Sequence, residues 1–367
     1  MAFSPAEIAN IANAALDYYF NKGDLFDQTI QARPLLDKIE KKKKTFPGGK
    51  GNISLAVKGT YGDGSGNDVL KGYTHNDQVN FFTPANIKRV AFPWREHHIG
   101  LTLTHTELKI DGISVVDTNG ETTSNHSQRE MTALVNLLED KLSELGEQYA
   151  RSMNALLYGD GAADAKALTG LAHLIAADPS TGTVGGMDRA TTAWWRNRAR
   201  TAAFGAKVTA TAALSAHGGD AVTSSATGGG ALLQVLQEER RQLIRYGGSP
   251  DTFLCGSDFL GAMEKEIRAN GNYSEDGFNK SFDGAIGSMS FAGQTIQYDP
   301  TLDDMGLQKR GYWFDSKRVF LMAMENEWRK DHTPARPANQ FVLYRSVTST
   351  GQMVMTQANS SLVIDIK

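Results

Sequence analysis

The longest apolar repeat in this chain lies between residues 124 and 158, where Met131, Leu134, Val135, Leu138, Leu142, Leu145, Tyr149, Met153 and Leu156 follow at steps of one, three and four. Such steps hold side chains on one face of a 3.6-residue helix. The pattern predicts a helix capped by Ser124 or Asn125 and ended by Gly159, on the order of 50 Å long at ~1.5 Å per residue. The mean globular helix has only ~11–12 residues. A helix this long is a strut, and the rest of the chain must supply apolar surface along it.

The segments ahead of the strut supply two further patterns. Ile8, Ile11, Ala12, Ala15, Leu16 and Tyr19 recur at helical steps behind Ser4 and Pro5, and a second apolar stretch reaches Ile39. The run Lys41, Lys42, Lys43 and Lys44 then ends at Pro47, Gly48 and Gly49, which reads residues 1–45 as an arm. From Asn52 to His105 the period falls to two: Ile53, Leu55 and Val57 alternate, as do Ile99, Leu101 and Leu103. Between them Gly59 to Gly66 is a glycine-rich tip. The expectation is two long strands paired into a ribbon that is marginal alone and needs a partner surface, such as a neighbouring subunit.

Behind the strut, Thr201 to Gly230 reads as a surface loop rich in Gly, Ala and Thr. Leu232 to Ile244 predicts a helix, Thr252 to Cys255 a short buried strand, and Phe259 to Ile267 another helix. Short strands follow at Ser290–Tyr298, Tyr312–Phe314, Val319–Met324, Phe341–Tyr344 and Gln352–Ile366. The fold class is α+β.

Composition narrows the function. With 38 Lys+Arg against 41 Asp+Glu the net charge of −3 gives no overall basic field, so any contact with nucleic acid is local. The single cysteine, Cys255, reads as a small buried residue and the chain as one built for a reducing compartment. No segment has the pattern of a secretory signal or the ~18 uncharged apolar residues of a membrane span, so the expected site of synthesis and assembly is the cytoplasm.

Motifs for chemistry are missing. Gly48-Gly49-Lys50-Gly51 lacks the spacing and hydroxyl of a phosphate loop, and Gly62, Gly64 and Gly66 lack the third spacing of a dinucleotide fingerprint. Gly64-Ser65-Gly66 falls short of a nucleophile elbow. Glu96, His97, His98 and His105 could suggest a metal, but strand alternation sends His97 and His98 to opposite faces. No catalytic residue, cofactor or metal is assigned, and the chain is not read as an enzyme. Trp194, Trp195 and Trp328 are read as packing residues rather than base-stacking ones.

The stretch from Gly170 to Ile175, followed by Pro179 to Thr191 and by Trp194-Trp195-Arg196-Asn197, resembles a segment of tailed-bacteriophage major capsid proteins of the Hong Kong 97-type fold. The resemblance continues through Asp251 to Cys255, Phe291-Ala292-Gly293, Tyr298-Asp299-Pro300 and Tyr312 to Asp315. It implies an N-terminal arm at 1–45, an extended loop or β-hairpin at 46–100 and a peripheral domain with the spine helix at 101–160. An axial domain at 161–319 and peripheral return strands at 320–367 complete the chain.

The implied function is a major head protein that assembles as hexamers and pentamers into an icosahedral virion shell around double-stranded DNA, with no membrane partner. The short segment before the extended loop implies a separate scaffolding protein, beside a portal and possible decoration proteins. Lys58 and Lys71 lie where some members form crosslinks, yet no matching asparagine and carboxylate are identified, so no crosslink is expected. Phe81, Phe82, Phe92 and Trp94 are candidate inter-subunit anchors, with packing inside the same subunit as the other reading. Lys41 to Lys44 are candidates for non-specific DNA or neighbour contact, or simply a solvated face. Encapsulin-like shells, which enclose enzymes, share the fold and are the alternative.

Overall fold

The alternating and helical patterns resolve into two larger sheets, two two-stranded pairs and one long helix. The computed structural model describes residues 33–49, 51–59, 70–79, 81, 87–104, 106, 128–204, 231–269, 290–335 and 342–366. Most of the expected loop tip, Phe82, and most of the expected loop 201–230 lie outside the described residues. In chain order the elements begin with α1 (Pro34–Lys41), β1 (Lys44–Phe46), β2 (Asn52–Lys58), β3 (Ile87–Pro93), β4 (Arg95–Thr104) and α2 (Gln128–Tyr158). Then come α3 (Leu171–Leu174), β5 (Thr183–Val184), β6 (Met187–Asp188), β7 (Arg198–Arg200), α4 (Ala231–Ile244), β8 (Thr252–Cys255) and α5 (Ser257–Ala269). The last are β9 (Ser290–Phe291), β10 (Gln294–Tyr298), α6 (Pro300–Asp304), β11 (Arg310–Phe314), β12 (Val319–Met324), β13 (Lys330–Ala335), β14 (Val342–Met355) and β15 (Leu362–Asp365).

The strut is α2, 31 residues long. Gly159 ends it, its N–H reaching the carbonyls of Ala155 and Leu156. Leu145, Tyr149, Met153 and Leu157 are buried along its C-terminal half. Against it lies α1, whose Leu35, Leu36 and Ile39 are buried at helical spacing. Asn154 of α2 fastens the two: its Oδ1 accepts the Leu36 N–H at 3.1 Å. Its Nδ2 donates to Thr301 Oγ1 at 2.8 Å and to the Asp299 carboxylate, so the same amide also holds α6.

The first sheet has five strands. β14 pairs with β4 from Val342 to Gly351, with β13 on its other side, and with β12 at its far end, while β1 lies parallel to β12. The expected pairing of 52–58 with 99–103 does not occur. β2 pairs instead with β3, and β4 leaves the ribbon for β14. Alternation shows that a strand has two faces but not which strand it meets. Pro93, which has no N–H to donate, marks the break between β3 and β4.

The second sheet runs β7-β15-β11-β8-β10-β9. Both its faces are covered, which is why its central strands read as unbroken apolar runs. Leu254, Tyr312, Phe314 and Val363 face the cluster that includes α1, α2 and the ribbon. Their neighbours Phe253, Cys255, Trp313, Leu362 and Ile364 face a second cluster under α4 and α5. Cys255 is fully buried, and burial pushes its thiol up to about 12. Among the described residues no helix is long and apolar enough to cross a membrane.

Candidate assembly surface

The two-stranded ribbon is fixed along its length. β2 and β3 pair from Asn52 opposite Pro93 to Lys58 opposite Ile87. Ile53 and Val57 on β2, with Val90 and Phe92 on β3, share the buried face. That face closes on the β5–β6 turn, where the Ala91 N–H donates to the Gly185 carbonyl at 3.0 Å. Gly185 has φ +60°, and a Cβ there would stand 2.9 Å from Val90 Cβ. Gly59, just past β2, lies flat on the Trp194 indole, where a Cβ would fall 1.8 Å from Cδ2. No side chain fits at that contact.

Beyond this base the apolar side chains face solvent. Leu70 is fully exposed, Phe81 89%, Tyr73 71%, Ile87 69% and Val79 53%. Among the described residues the remaining exposed large apolar side chains are five, scattered over α4, β10, α6 and β14 or just beside them. Half of the total therefore falls, along the sequence, between residues 70 and 87, whereas the other five are spread singly. A local turn lies in this stretch: the Asp77 carboxylate accepts the Thr74 N–H and hydroxyl, both at 2.9 Å. Those bonds hold the Asp77 carboxyl below its ordinary range.

The four candidate anchors fall in different places. Phe81 is in the exposed stretch, Phe92 is 2% exposed in the ribbon base, and Phe82 is outside the described residues. Trp94 is half-buried, with its ring 6.0 Å from that of Phe46. Leu70, Tyr73, Val79 and Ile87 belong to the same stretch but were not singled out from sequence. They follow no helix or strand period, and their only signal is apolar residues within a polar, aperiodic stretch.

The four lysines each meet a group of their own chain. Lys41 pairs with Asp37 at 2.8 Å, one helical turn away, and stays largely exposed. Lys42 pairs with Asp251 at 2.6 Å and donates to Ser316. Lys43 stands 6.0 Å from the centre of the Trp328 ring, and burial lowers its ammonium pKa against the raising effect of Glu40. Lys44 sits 3.8 Å over the Phe320 ring.

The Asp251 carboxylate also accepts from Ser316 and Thr252. Burial alone would raise it, but these bonds and Lys42 outweigh that and bring it to about 2. Nearby, Glu40 accepts from Arg329 at 2.6 Å. The end of the expected arm is thus bonded across to the sheets.

His97 is half-buried and His98 exposed, on opposite faces of β4. The His97 Nε2 accepts the Leu168 N–H at 3.0 Å, and burial lowers its pKa. This imidazole is committed to a backbone donor. Among the described residues no group of three or more His, Cys, Asp or Glu side chains could hold a metal. Trp195 is 1% exposed and donates its indole N–H to the Val184 carbonyl, while Trp194 and Trp328 pack at the edge of the same core.

No family model and no curated protein matches this chain. Solved structures do. A chain of the cyanophage A-1(L) capsid asymmetric unit is 16% identical, with a TM-score of 0.60 over 91% of this chain and 93% of that one. A chain of the capsid of Myoviridae phage XM1 is 12% identical, with a TM-score of 0.50 over 89% of this chain and 90% of that one. At such identities the likeness speaks to architecture, and it runs over nearly the full length of both partners: this chain has the fold of a phage capsid protein.

Proposed function

We infer that this chain is the subunit of a phage head, assembling as hexamers and pentamers into an icosahedral shell that encloses double-stranded DNA. The observation that carries the reading is the exposure of five large apolar side chains, Leu70, Tyr73, Val79, Phe81 and Ile87, on the chain that connects the two strands of a ribbon locked to the core, or at its end. A second copy laid under it buries what one subunit leaves open. Each such side chain contributes about 1.5–3 kcal/mol when fully covered. Repetition around a closed shell multiplies modest contacts through avidity. The role is structural, with a scaffolding protein and a portal as the further partners this reading calls for. The shared fold supports it.

Negative-stain microscopy of the purified chain, expressed alone and with its genomic neighbours, tests the proposal. Closed particles tens of nanometres across are expected. The double substitution Tyr73→Ser with Phe81→Ser should abolish them while leaving the melting temperature of the subunit unchanged. A uniform monomer under every condition would overturn the reading. Shells filled with a packaged protein instead of DNA would replace the phage head by an enzyme-enclosing compartment.

A further inference from the structure

Behind the ribbon base, two adjoining cavities of about 700 and 570 Å³ share Gly59, Trp194, Arg245, Tyr246 and Asn359 as walls. Together they form one groove, and its lining is basic. Arg196, Arg198 and Arg200 enter from the extended segment at β7, Arg245 from the end of α4, and Arg318 from the turn before β12. No carboxylate is among the described residues that line either cavity. The carboxylates paired with these arginines, among the described residues, are Glu238 and Glu239. Five guanidinium groups and the Lys58 ammonium line the groove, in a chain whose overall sum is −3. Trp194, Phe204 and Tyr246 add aromatic surface.

We propose that this groove binds the phosphodiester backbone of nucleic acid. The arginines are held in place from behind. Glu239, fully buried on α4, accepts from Arg198 Nε and Nη2 at 2.8 and 2.9 Å and from Arg200 Nε at 2.6 Å. Arg196 is held by the carbonyls of Arg189 and Ala190, at 2.6 and 2.7 Å. A guanidinium carries five N–H donors. These bonds use two on Arg196 and two on Arg198, and both side chains are part-exposed. Fixed forks with spare donors suit phosphate oxygens.

The spacing agrees. Alternate residues of an extended strand stand ~6.8 Å apart, close to two nucleotide rises of ~3.4 Å along one DNA strand. Arg245 and Arg318 are exposed and add cations across the groove, with Arg245 5.4 Å from the centre of the exposed Tyr246 ring. A basic groove flanked by aromatic rings favours nucleic acid over an acidic peptide, because the rings offer faces on which bases stack.

The proposal rests on the shell reading for its biological ligand but is tested apart from it. Fluorescence anisotropy of labelled 20-nucleotide single-stranded and 20-base-pair duplex DNA is measured against the full chain over a salt series. The same is done for Arg245→Ala with Arg318→Ala, and for Arg241→Ala, which removes an exposed charge of α4 outside the groove. The double variant should weaken binding at least ~10-fold and reduce the salt slope by about 1.8 for duplex or about 1.4 for a single strand. Arg241→Ala should change neither.

Tighter binding of the single strand would assign a role to the rings, and equal binding would assign the contact to phosphates alone. Equal DNA binding by the double variant and wild type overturns the proposal. So does a polyglutamate peptide of matched charge binding as tightly as DNA, which would make the occupant an acidic segment of another chain. Microscopy of the same preparations separates the two readings. Shells that do not bind DNA sink the groove alone, whereas arginine-dependent DNA binding by a chain that never assembles sinks the shell alone.

Discussion

Replacing Asn154 by aspartate turns a buried joint into a pH-dependent fault. Asn154 and Asp299 are both fully buried. The amide Nδ2 stands 3.2 Å from Asp299 Oδ2 and its Oδ1 accepts the Leu36 N–H, so one side chain ties α1, α2 and α6. Asn154→Asp keeps the acceptor for Leu36 but sets two carboxyl groups face to face at about that separation. Both charged, they would repel by about 5 kcal/mol at an effective dielectric constant of ~20. Holding a proton on one at pH 7 costs about 4 kcal/mol, from a reference pKa of ~3.9 and 1.36 kcal/mol per unit. The protonated pair is the cheaper state, and its O–H replaces the lost amide donor.

The variant is therefore expected to be about 4 kcal/mol less stable than wild type at pH 7. Folding takes up a proton, so the folded pKa is raised. The deficit is largest at high pH, shrinks by about 1.4 kcal/mol for each unit the pH falls, and vanishes near pH 4. Asn154→Leu serves as the companion. It orphans the buried Leu36 N–H at a cost of about 1–3 kcal/mol and removes a donor from Asp299, without the slope. Urea unfolding of unassembled subunits between pH 4 and pH 7, followed by tryptophan emission, reads both. A deficit for Asn154→Asp that is flat over that range, or below about 1 kcal/mol at pH 7, would refute the reasoning.

Other consequences concern the same joints. The Asp251 carboxyl, brought to about 2 by bonds that outweigh its burial, contributes stability present above pH ~4 and lost as pH falls toward 2. Lys42→Met should flatten that acid limb, by less than about 1 kcal/mol because the pair is part-exposed. His97 and His173, lowered by burial, make stability decline as pH falls below the unfolded value of ~6.5. His97→Gln should remove its share of that decline in denaturation series from pH 7.5 to 5. Gly59→Ala drives a methyl into Trp194 and should cost about 1–3 kcal/mol, with a red shift of tryptophan emission. An unchanged spectrum and midpoint would show that the ribbon does not rest there.

The parts of the fold legible in the sequence are those set by local pattern. The strut was readable because one apolar face persists over 31 residues. The strand Thr252–Cys255 was readable because four consecutive buried positions leave no polar face. Partner choice was not readable. β4 alternates as β2 does, but it is β14, more than two hundred residues on, that pairs with it. β13 escaped notice because Lys330, Asp331 and His332 are polar and Pro334 sits where the register shifts, the bulge position that tolerates proline. The lysine run showed its charge but not its neighbours, since Asp251 and Phe320 reach it only through the tertiary fold. The arginines of β7 were visible at alternate positions, yet Glu239, Arg245 and Arg318, which make a groove of them, come from elsewhere.

In the proposed shell, the fixing of the ribbon would decide which contact forms. A ribbon that swung freely with apolar side chains exposed beside it would find many partners, and aggregation would follow. Here Gly59 on Trp194 and Gly185 against Val90 bring backbone to side chain with no room for a Cβ. Ile53, Val57, Val90 and Phe92 add a buried face between those two contacts. Those contacts fix β2 and β3 against the body, and with them the ends of the segment that carries Leu70, Tyr73, Val79 and Phe81. Meanwhile Asn154, Asp251 and Glu40 bind α1 and the lysines after it to α2 and to both of the larger sheets. In the proposed shell, specificity of association then resides in the buried joints as much as in the exposed rings, because loosening a joint would move the ribbon without touching the surface.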